Sequence, residues 1–204
     1  MSTINVKLKD GKYLDIDFSP GDIMIDCGAN IGEVSAPFAL MGATVLAYEP
    51  NMHAFEKLSD RFKDYRNVKC FNSAVSYKDG KAKLFLHENA NVDPLKYSTG
   101  SSLVVEKQNV NSDDYIETNT IDLARVIKKI RKAVNKNVHI LKIDIEGAEC
   151  DLMERLMDED LLRDIPYIFV ETHEKKIPSL VEKTRNMIDR AKKLELDNIN
   201  FNWI

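Results

Sequence analysis

The chain has 204 residues, of which 44% are hydrophobic and 30% are charged, and its formal net charge is −4. This length favours one domain with a substantial core, and the net negative charge excludes a global basic field that would attract nucleic acid. No apolar run approaches the roughly 18–20 residues that span a bilayer. Three widely separated cysteines, and N-terminal residues without a signal-peptide core, predict reduced thiols in a cytoplasmic protein.

The N-terminal residues 1–20 predict a β-hairpin. Residues 6–8 and 13–18 have strand patterns, and Asp10-Gly11 between them is a strong signal for a two-residue turn. Over residues 21–204, apolar strand segments alternate with amphipathic helical segments, which predicts a mostly parallel α/β sheet in a single domain. The elements predicted in the first half are strand 22–26, a helix ending near residue 41, strand 43–49, helix 52–65, strand 68–71 and strand 81–87.

Pro37 falls inside the first predicted helix. A proline inside a helix costs about 3 kcal/mol, so we expect this helix to begin late or to kink. Residues 88–102 are rich in Asn, Ser, Pro and Gly and predict a loop, which is either a substrate lid or a long connection. The elements predicted after this loop are an edge strand at 115–118, a helix after Thr120, strand 138–144, helix 147–157, strand 167–172, a helix beginning near Ser179 and a strand at 198–204.

The most informative segment is Asp26-Cys-Gly-Ala-Asn-Ile-Gly32, which follows an apolar strand. Its glycines allow a tight turn in which the backbone approaches a ligand closely. Glu49 ends the next strand, at the position where ribose hydroxyls lie in doubly wound folds. The two segments together predict a nucleoside-bearing cofactor held across two strand ends.

The loop differs from the G-x-G-x-x-G pattern of dinucleotide-binding proteins. Asn30 replaces the second glycine, and Glu33 replaces the third and would place negative charge near two phosphates. S-adenosylmethionine has no phosphate and carries a sulfonium, an amino group and a carboxylate, which suit acidic side chains and backbone N–H groups. Asp26 could accept from the amino group or from loop N–H groups, and Glu49 could accept from both ribose hydroxyls.

A second set of polar residues lies at the ends of two later strands. Lys142 and Asp144 share one face of strand 138–144, and a lysine this deep in an apolar strand needs a partner, for which Asp144 is the obvious candidate. Glu171 and His173 lie at the end of strand 167–172. Because ligands bind outside the carboxyl ends of strands in open α/β sheets, these groups should converge beside the reactive end of the cofactor.

Together these segments resemble the FkbM family of S-adenosylmethionine-dependent methyltransferases. The resemblance covers roughly residues 4–175, and its most distinctive part is Leu141-Lys-Ile-Asp-Ile-Glu-Gly-Ala-Glu149. It implies a Rossmann-like class I methyltransferase fold, with a seven-stranded, mostly parallel sheet, one antiparallel strand near its end, and helices on both faces. It also implies methylation of a hydroxyl, often on a sugar or a polyketide-type product.

The resemblance further implies roles for the matched residues. Glu49 would bind the ribose, Pro50 beside it would also contact the cofactor, and Asp144 would face the amino group of the cofactor or the acceptor. Ser101 and Ser102 could close over the methionine end or belong to an ordinary polar loop. The methionine-side loop would consist of Asp26, Gly28, Ala29, Asn30 and Gly32, and the residues near the adenine would be Asn51, Asn72 and Ser73.

The candidate catalytic residues are Lys142, Asp144 and His173. A hydroxyl acceptor has a pKa near that of water, about 15.7, so a base or a metal ion assists its methylation. His173 has the more suitable ordinary pKa for a base, about 6.5, and Asp144 is the other candidate. The favoured prediction has no metal ligand. In the less favoured alternative, a divalent ion would be held by Asp144, Glu146, Glu171 and Glu174.

Several other functions compete with this prediction. A nicotinamide-dependent oxidoreductase is disfavoured by the loop, and a base-flipping amino methyltransferase by Asp144-Ile-Glu-Gly in place of Asn/Asp-Pro-Pro-aromatic. A ribose 2′-O RNA methyltransferase stays open, because Lys142, Asp144 and Lys175 could form a lysine–aspartate site. A non-catalytic cofactor-binding protein also stays open. The favoured prediction is methylation of a small-molecule hydroxyl, for example on a saccharide, with no nucleic acid or membrane partner.

Overall fold

Strands and helices alternate through most of the chain, as the sequence predicts. The structure is a computed structural model that describes residues 2–202, without the side chain of Thr99. The strands are β1 (Ser2–Lys7), β2 (Tyr13–Phe18), β3 (Ile23–Cys27), β4 (Thr44–Tyr48), β5 (Val68–Phe71), β6 (Ala74–Ser76), β7 (Gly80–His87), β8 (Val110–Asp122), β9 (Val138–Ile143), β10 (Tyr167–Val170) and β11 (Ile199–Asn200). The helices are α1 (Ser35–Leu40), α2 (Met52–Phe62), α3 (Leu123–Val134), α4 (Glu149–Asp158) and α5 (Val181–Lys193), with 3₁₀ turns at Ser98–Gly100 and Pro178–Leu180.

The main sheet has six strands in the order β5-β4-β3-β9-β10-β11, and every pairing in it is parallel. The prediction of seven strands with one antiparallel strand near the end is therefore wrong for the described residues. The reason lies at the C-terminal end, where the predicted strand 198–204 contributes only the two-residue β11, which pairs in parallel with β10. Its last two residues, Trp203 and Ile204, lie outside the described residues.

Helices cover both faces of the main sheet, which confirms that part of the prediction. One buried apolar cluster joins the sheet to α3, α4 and α5, and the other joins it to α1, α2 and β2. All five residues of β3 are buried, as expected for a central strand of a parallel sheet with both faces covered. This burial fixes the positions of the strand ends, where the polar residues of the two motifs lie.

The N-terminal hairpin and the late start of the first helix are both confirmed. Strands β1 and β2 pair antiparallel, and Ile16 and Phe18 of β2 are buried in the second cluster. Helix α1 begins only at Ser35, so Pro37 lies in its first turn. The first four N–H groups of a helix have no partner within the helix, so the missing N–H of proline costs little there.

Residues 74–122 leave the main sheet and form a smaller one, with β8 between β6 and β7. The predicted edge strand at 115–118 is part of the much longer β8, which pairs antiparallel with β7. The segment between β7 and β8 is a long loop, and it passes over the carboxyl ends of the main-sheet strands. Among residues 2–202, no helix has the length and hydropathy that crossing a membrane would require.

Candidate active site

A cavity lies at the carboxyl ends of β3, β4 and β9. The space within it, about 600 Å³, includes a part that is open to solvent. Its polar walls come from the loop after β3, from the end of β4 and from the turn after β9. The residues that form these walls are Gly28 and Asn30, Glu49 and Pro50, and Asp144 and Glu146.

Two glycines let the loop after β3 take its shape. Gly28 has a φ of +80°, and a Cβ on it would lie 1.8 Å from the backbone oxygen of Asp144. Gly32 has a φ of +83°, and a Cβ there would lie 2.5 Å from the ring of Phe62. Any side chain at Gly28 would therefore push the loop away from the turn after β9 and widen the floor of the cavity.

Glu49 joins the loop after β3 to the end of β4. Its Oε2 accepts from the backbone N–H of Asn30 and its Oε1 from that of Asn51, each at 2.8 Å. Burial raises the pKa of Glu49 to about 7, although these two hydrogen bonds act in the opposite direction. Each carboxylate oxygen accepts only one of these bonds, so a lone pair on each stays available to a ligand.

Asp26 and Lys142 form a buried ion pair behind the cavity. Asp26 is 0% exposed, accepts a 2.7 Å hydrogen bond from the Ser35 hydroxyl, and lies 3.2 Å from the Lys142 ammonium. That ammonium also donates to the Gly28 carbonyl at 2.5 Å and lies 3.4 Å from Asp144 Oδ2. Burial alone would lower the pKa of Lys142, but the two carboxylates outweigh burial and hold it above its ordinary value. Lys142 thus pairs with Asp26 as well as with Asp144, the partner that the sequence suggested.

The residues predicted near the adenine lie beside the cavity rather than on its wall. The Asn51 side chain caps α2 by accepting from the N–H groups of His53 and Ala54. Asn72 donates to the carbonyls of Glu49 and Pro50, at 3.0 and 3.1 Å, and so supports this end of β4.

Ser73 is buried next to Asn72, and the cavity wall in this region comes from Ala74 and Val75. Sequence reasoning missed these two residues, because small apolar side chains in a strand look the same whether they face a core or a ligand.

The long loop between β7 and β8 covers the cavity. Ser98, Ser101 and Ser102 line it, and the Ser102 hydroxyl donates to the Glu146 carbonyl at 2.5 Å. Lys107, only 5% exposed, donates to the Gly100 carbonyl at 2.7 Å and lies 2.6 Å from Glu146 Oε2. The roles of Ser98 and Lys107 were not predicted. No local pattern could identify Lys107, because its partner belongs to a distant strand end.

His173 lies among three carboxylates. It is 2% exposed, and its Nδ1 is 3.2 Å from Glu149 Oε1. Its Nε2 is 3.1 Å from Glu146 Oε2 and 3.6 Å from Asp144 Oδ1. Burial opposes a charged imidazole, but Glu146 and Glu149 raise the pKa of His173 to about 10. Burial likewise opposes charge on Glu146, but His173 and Lys107 lower its pKa to about 2.

The group of possible metal ligands differs from the set considered in the sequence. Asp144, Glu146 and His173 bring one ligand atom each within 4.8 Å of one another. Glu171 and Glu174 are not members of this group, and Glu171 lies 3.7 Å from the Lys9 ammonium. The two glutamates at the end of β10 therefore do not join the acids after β9 in the described structure.

A second, more open cavity adjoins the first. The two share Gly28, Asn30 and Asp144 as lining residues. The second cavity is also lined by Lys142 and by polar side chains near its opening, which are Glu33, Asp93 and Lys96. Asp144 thus lies between two adjoining spaces, one covered by the loop and one open to solvent.

A doubly wound parallel sheet with a cavity across its strand ends defines a protein of the Rossmann-like class, and the acid at the end of β4 is typical of those that bind nucleosides. Residues 26–194 match the methyltransferase FkbM domain. The chain therefore belongs to the FkbM methyltransferase family, and its class of activity is methyl transfer. A comparison with curated proteins found no match.

Proposed function

We propose that the protein transfers a methyl group from S-adenosylmethionine to a hydroxyl group of a small polar molecule, such as a saccharide. The observation that carries this proposal is the cavity at the strand ends, with the Glu49 carboxylate on one side and Asp144 and Glu146 on the other. This arrangement places carboxylates, which accept hydrogen bonds, at both ends of an elongated ligand. Such a ligand would bear ribose hydroxyls at one end and positive charge at the other.

The polar groups of the cavity suit this donor. Glu49 has lone pairs for the two ribose hydroxyls, and such charge-assisted hydrogen bonds contribute about 1.5–3 kcal/mol each. The sulfonium and amino groups carry positive charge, which the acidic side chains of Asp144 and Glu146 would stabilise. A dinucleotide would instead bring two phosphates close to these carboxylates, which is unfavourable.

The adjoining open cavity supports a small polar acceptor. Methyl transfer is an in-line displacement, so the acceptor oxygen must approach from the side opposite the sulfur. Asp144 borders both spaces, and Glu33, Asp93 and Lys96 supply hydrogen-bonding groups on the open side. The ribose 2′-O alternative has less support, because Lys142 is paired with Asp26 and donates to the Gly28 carbonyl, and Lys175 lines neither cavity.

Calorimetric titration with S-adenosylmethionine, S-adenosylhomocysteine and a nicotinamide dinucleotide tests the donor. We expect the first two to bind at one site and the dinucleotide not to bind. A panel of hydroxylated sugars with labelled donor would then identify acceptors. Absence of binding by both adenosyl compounds would refute the proposed donor, and tight binding of the dinucleotide alone would favour an oxidoreductase.

The affinity for the donor should depend on pH through Glu49. Burial raises the pKa of Glu49 to about 7, and the ribose hydroxyls donate to the ionised form. Binding therefore favours deprotonation, so the dissociation constant should rise by up to about tenfold for each pH unit below 7 and level off above it. Calorimetry between pH 5.5 and 8.5 measures this dependence.

The control for the pH experiment is Glu49→Gln, which cannot titrate at this position. The donor's own amino group titrates at about 7.7–8.0 in every variant, so the ratio of the two dissociation constants isolates the contribution of Glu49. A ratio that stays constant across the pH range would contradict the assignment of Glu49 to the ribose.

Replacement of Asp144 by asparagine should lower the turnover number by about a hundredfold, which is the low end of general acid–base contributions. Asparagine keeps the size of the side chain but cannot accept a proton from the acceptor hydroxyl. The affinity for the donor should also fall, because Asp144 lies on the side of the cavity proposed for the positive charge of the donor, so the turnover number is measured at saturating donor. The measurement is steady-state kinetics with an acceptor from the panel, alongside calorimetry of donor binding.

Asp93→Asn, at the opening of the second cavity, is the matched control for Asp144→Asn. We expect this control to change KM for the acceptor more than the turnover number. Equal turnover by Asp144→Asn and the unaltered protein would remove Asp144 from the chemistry.

A further inference from the structure

The turn after β9 and the end of β10 bring an imidazole and two carboxylates to one point. His173 Nε2 lies 3.1 Å from Glu146 Oε2 and 3.6 Å from Asp144 Oδ1. First-row divalent ions hold nitrogen and oxygen ligands at about 2.0–2.2 Å, so neighbouring ligand atoms around such an ion lie about 3.0–3.5 Å apart. The two separations are close to those of ligand atoms that share an ion.

The orientation of His173 is that of a metal ligand. Its backbone N–H donates to Glu149 Oε1 at 3.0 Å, and its ring Nδ1 lies 3.2 Å from the same oxygen. Glu149 is itself fully buried and is fixed by a hydrogen bond from the Gly147 N–H. When one ring N–H donates a hydrogen bond to a carboxylate, the other ring nitrogen is left to bind a metal, which is the usual arrangement of histidines that bind metals.

One of the facing atoms, His173 Nε2, is buried without a hydrogen bond of normal geometry to the described part of the chain. Within the described residues, its nearest acceptor is Glu146 Oε2 at 3.1 Å, an oxygen that also pairs with the Lys107 ammonium. His173 is only 2% exposed, so this nitrogen has little access to a hydrogen bond from solvent. A buried polar atom without a well-formed hydrogen bond is rare, and a bound ion is one of the recognised explanations.

From these contacts we infer that Asp144, Glu146 and His173 bind a divalent first-row transition metal ion beside the donor cavity. One imidazole nitrogen with two carboxylate oxygens favours Mn²⁺, Fe²⁺ or Zn²⁺ over Mg²⁺ and Ca²⁺, which prefer oxygen ligands only. Asp144 and Glu146 both line the donor cavity, so an ion that they held would lie at its edge. A role for the ion in polarising the acceptor hydroxyl rests on the proposed function, whereas the binding itself does not.

The positive charge of Lys107 limits the affinity of this site for a metal ion. Its ammonium lies 2.6 Å from Glu146 Oε2, so an ion on this oxygen shares it with a positive charge. Four carboxylates surround this point, those of Asp26, Asp144, Glu146 and Glu149, against the ammonium groups of Lys107 and Lys142 and the His173 imidazolium, whose Nε2 proton the ion would displace. The balance of charge therefore still favours a cation, and removal of Lys107 should strengthen its binding.

Titration with Mn²⁺, followed by electron paramagnetic resonance of the free ion and by calorimetry, tests the site in the absence of donor. We expect one site, with affinity at least tenfold weaker in His173→Asn and in Glu146→Gln. Lys107→Met should bind Mn²⁺ severalfold more tightly, which general damage to the fold would not produce. His53→Asn, which changes an exposed histidine, should bind as the unaltered protein does.

Thermal unfolding of each variant identifies any that fail to fold. If His173→Asn fails to fold, Glu146→Gln and Lys107→Met still test the site. Failure of the unaltered protein to bind Mn²⁺ or Zn²⁺ more tightly than Glu146→Gln would overturn the inference. Donor binding is measured separately, so a protein that binds S-adenosylmethionine but no ion refutes only the metal site. A protein that binds the ion but no donor refutes only the proposed function.

Discussion

Replacing Glu49 with alanine is expected to weaken the binding of S-adenosylmethionine by about a hundredfold or more. Two charge-assisted hydrogen bonds to the ribose contribute at least about 3 kcal/mol together, and every 1.4 kcal/mol corresponds to a factor of ten. The loss should be similar for S-adenosylhomocysteine, because the two compounds share the ribose. The measurement is calorimetric titration at pH 8, where Glu49 in the unaltered protein is mostly ionised, given its pKa of about 7.

Glu49 also holds two backbone N–H groups, so the experiment must separate loss of a ligand contact from collapse of the loop. Glu56→Gln, on the exposed face of α2, is the control for removal of a negative charge near the site. Circular dichroism and thermal unfolding should show that Glu49→Ala stays folded. Unchanged affinity for both adenosyl compounds in a folded Glu49→Ala protein would mean that the ribose binds elsewhere, and the proposed orientation of the donor would be wrong.

The positions of the strand ends could be predicted because they depend on local pattern. The apolar run of β3 ends where Asp26 and the glycine turn begin, and that of β4 ends just before Glu49. Carboxyl ends of parallel strands lie at one edge of a sheet, so recognising both strands was enough to predict that Glu49 and Asp144 border one cavity. The same reasoning cannot show how many strands join the sheet, since a strand pattern does not specify its neighbours.

The pairing of Lys142 with Asp26 shows what local pattern leaves out. Asp144 is two residues along the same strand face, so sequence spacing suggested it as the partner. Asp26 lies on β3, and only the parallel register of β3 with β9 brings it opposite Lys142. The contact of Lys107 with Glu146 has the same origin, because it depends on how the loop between β7 and β8 folds over the sheet.

Lys142→Met should lower the free energy of unfolding by about 3–5 kcal/mol, the usual cost of leaving a buried charge without its partner. Asp26 is 0% exposed, and its Oδ1 has no hydrogen bond within the described residues, so the Lys142 ammonium at 3.2 Å is the main compensation for that oxygen. For a chain of this size, each kcal/mol lowers the melting temperature by about 2–4 °C. Urea unfolding and calorimetric melting measure both quantities.

A second substitution separates the charge effect from loss of packing. In the double variant Asp26→Asn with Lys142→Met, neither charge stays buried, so we expect it to regain at least half of the lost stability. Lys132→Met, on the exposed side of α3, is the control and should change stability by less than about 0.5 kcal/mol. If Lys142→Met were as stable as this control, the ion pair would not hold the loop after β3 in place. The Gly28 carbonyl would then keep its position through the strand pairing alone, and the floor of the donor cavity would not depend on Lys142.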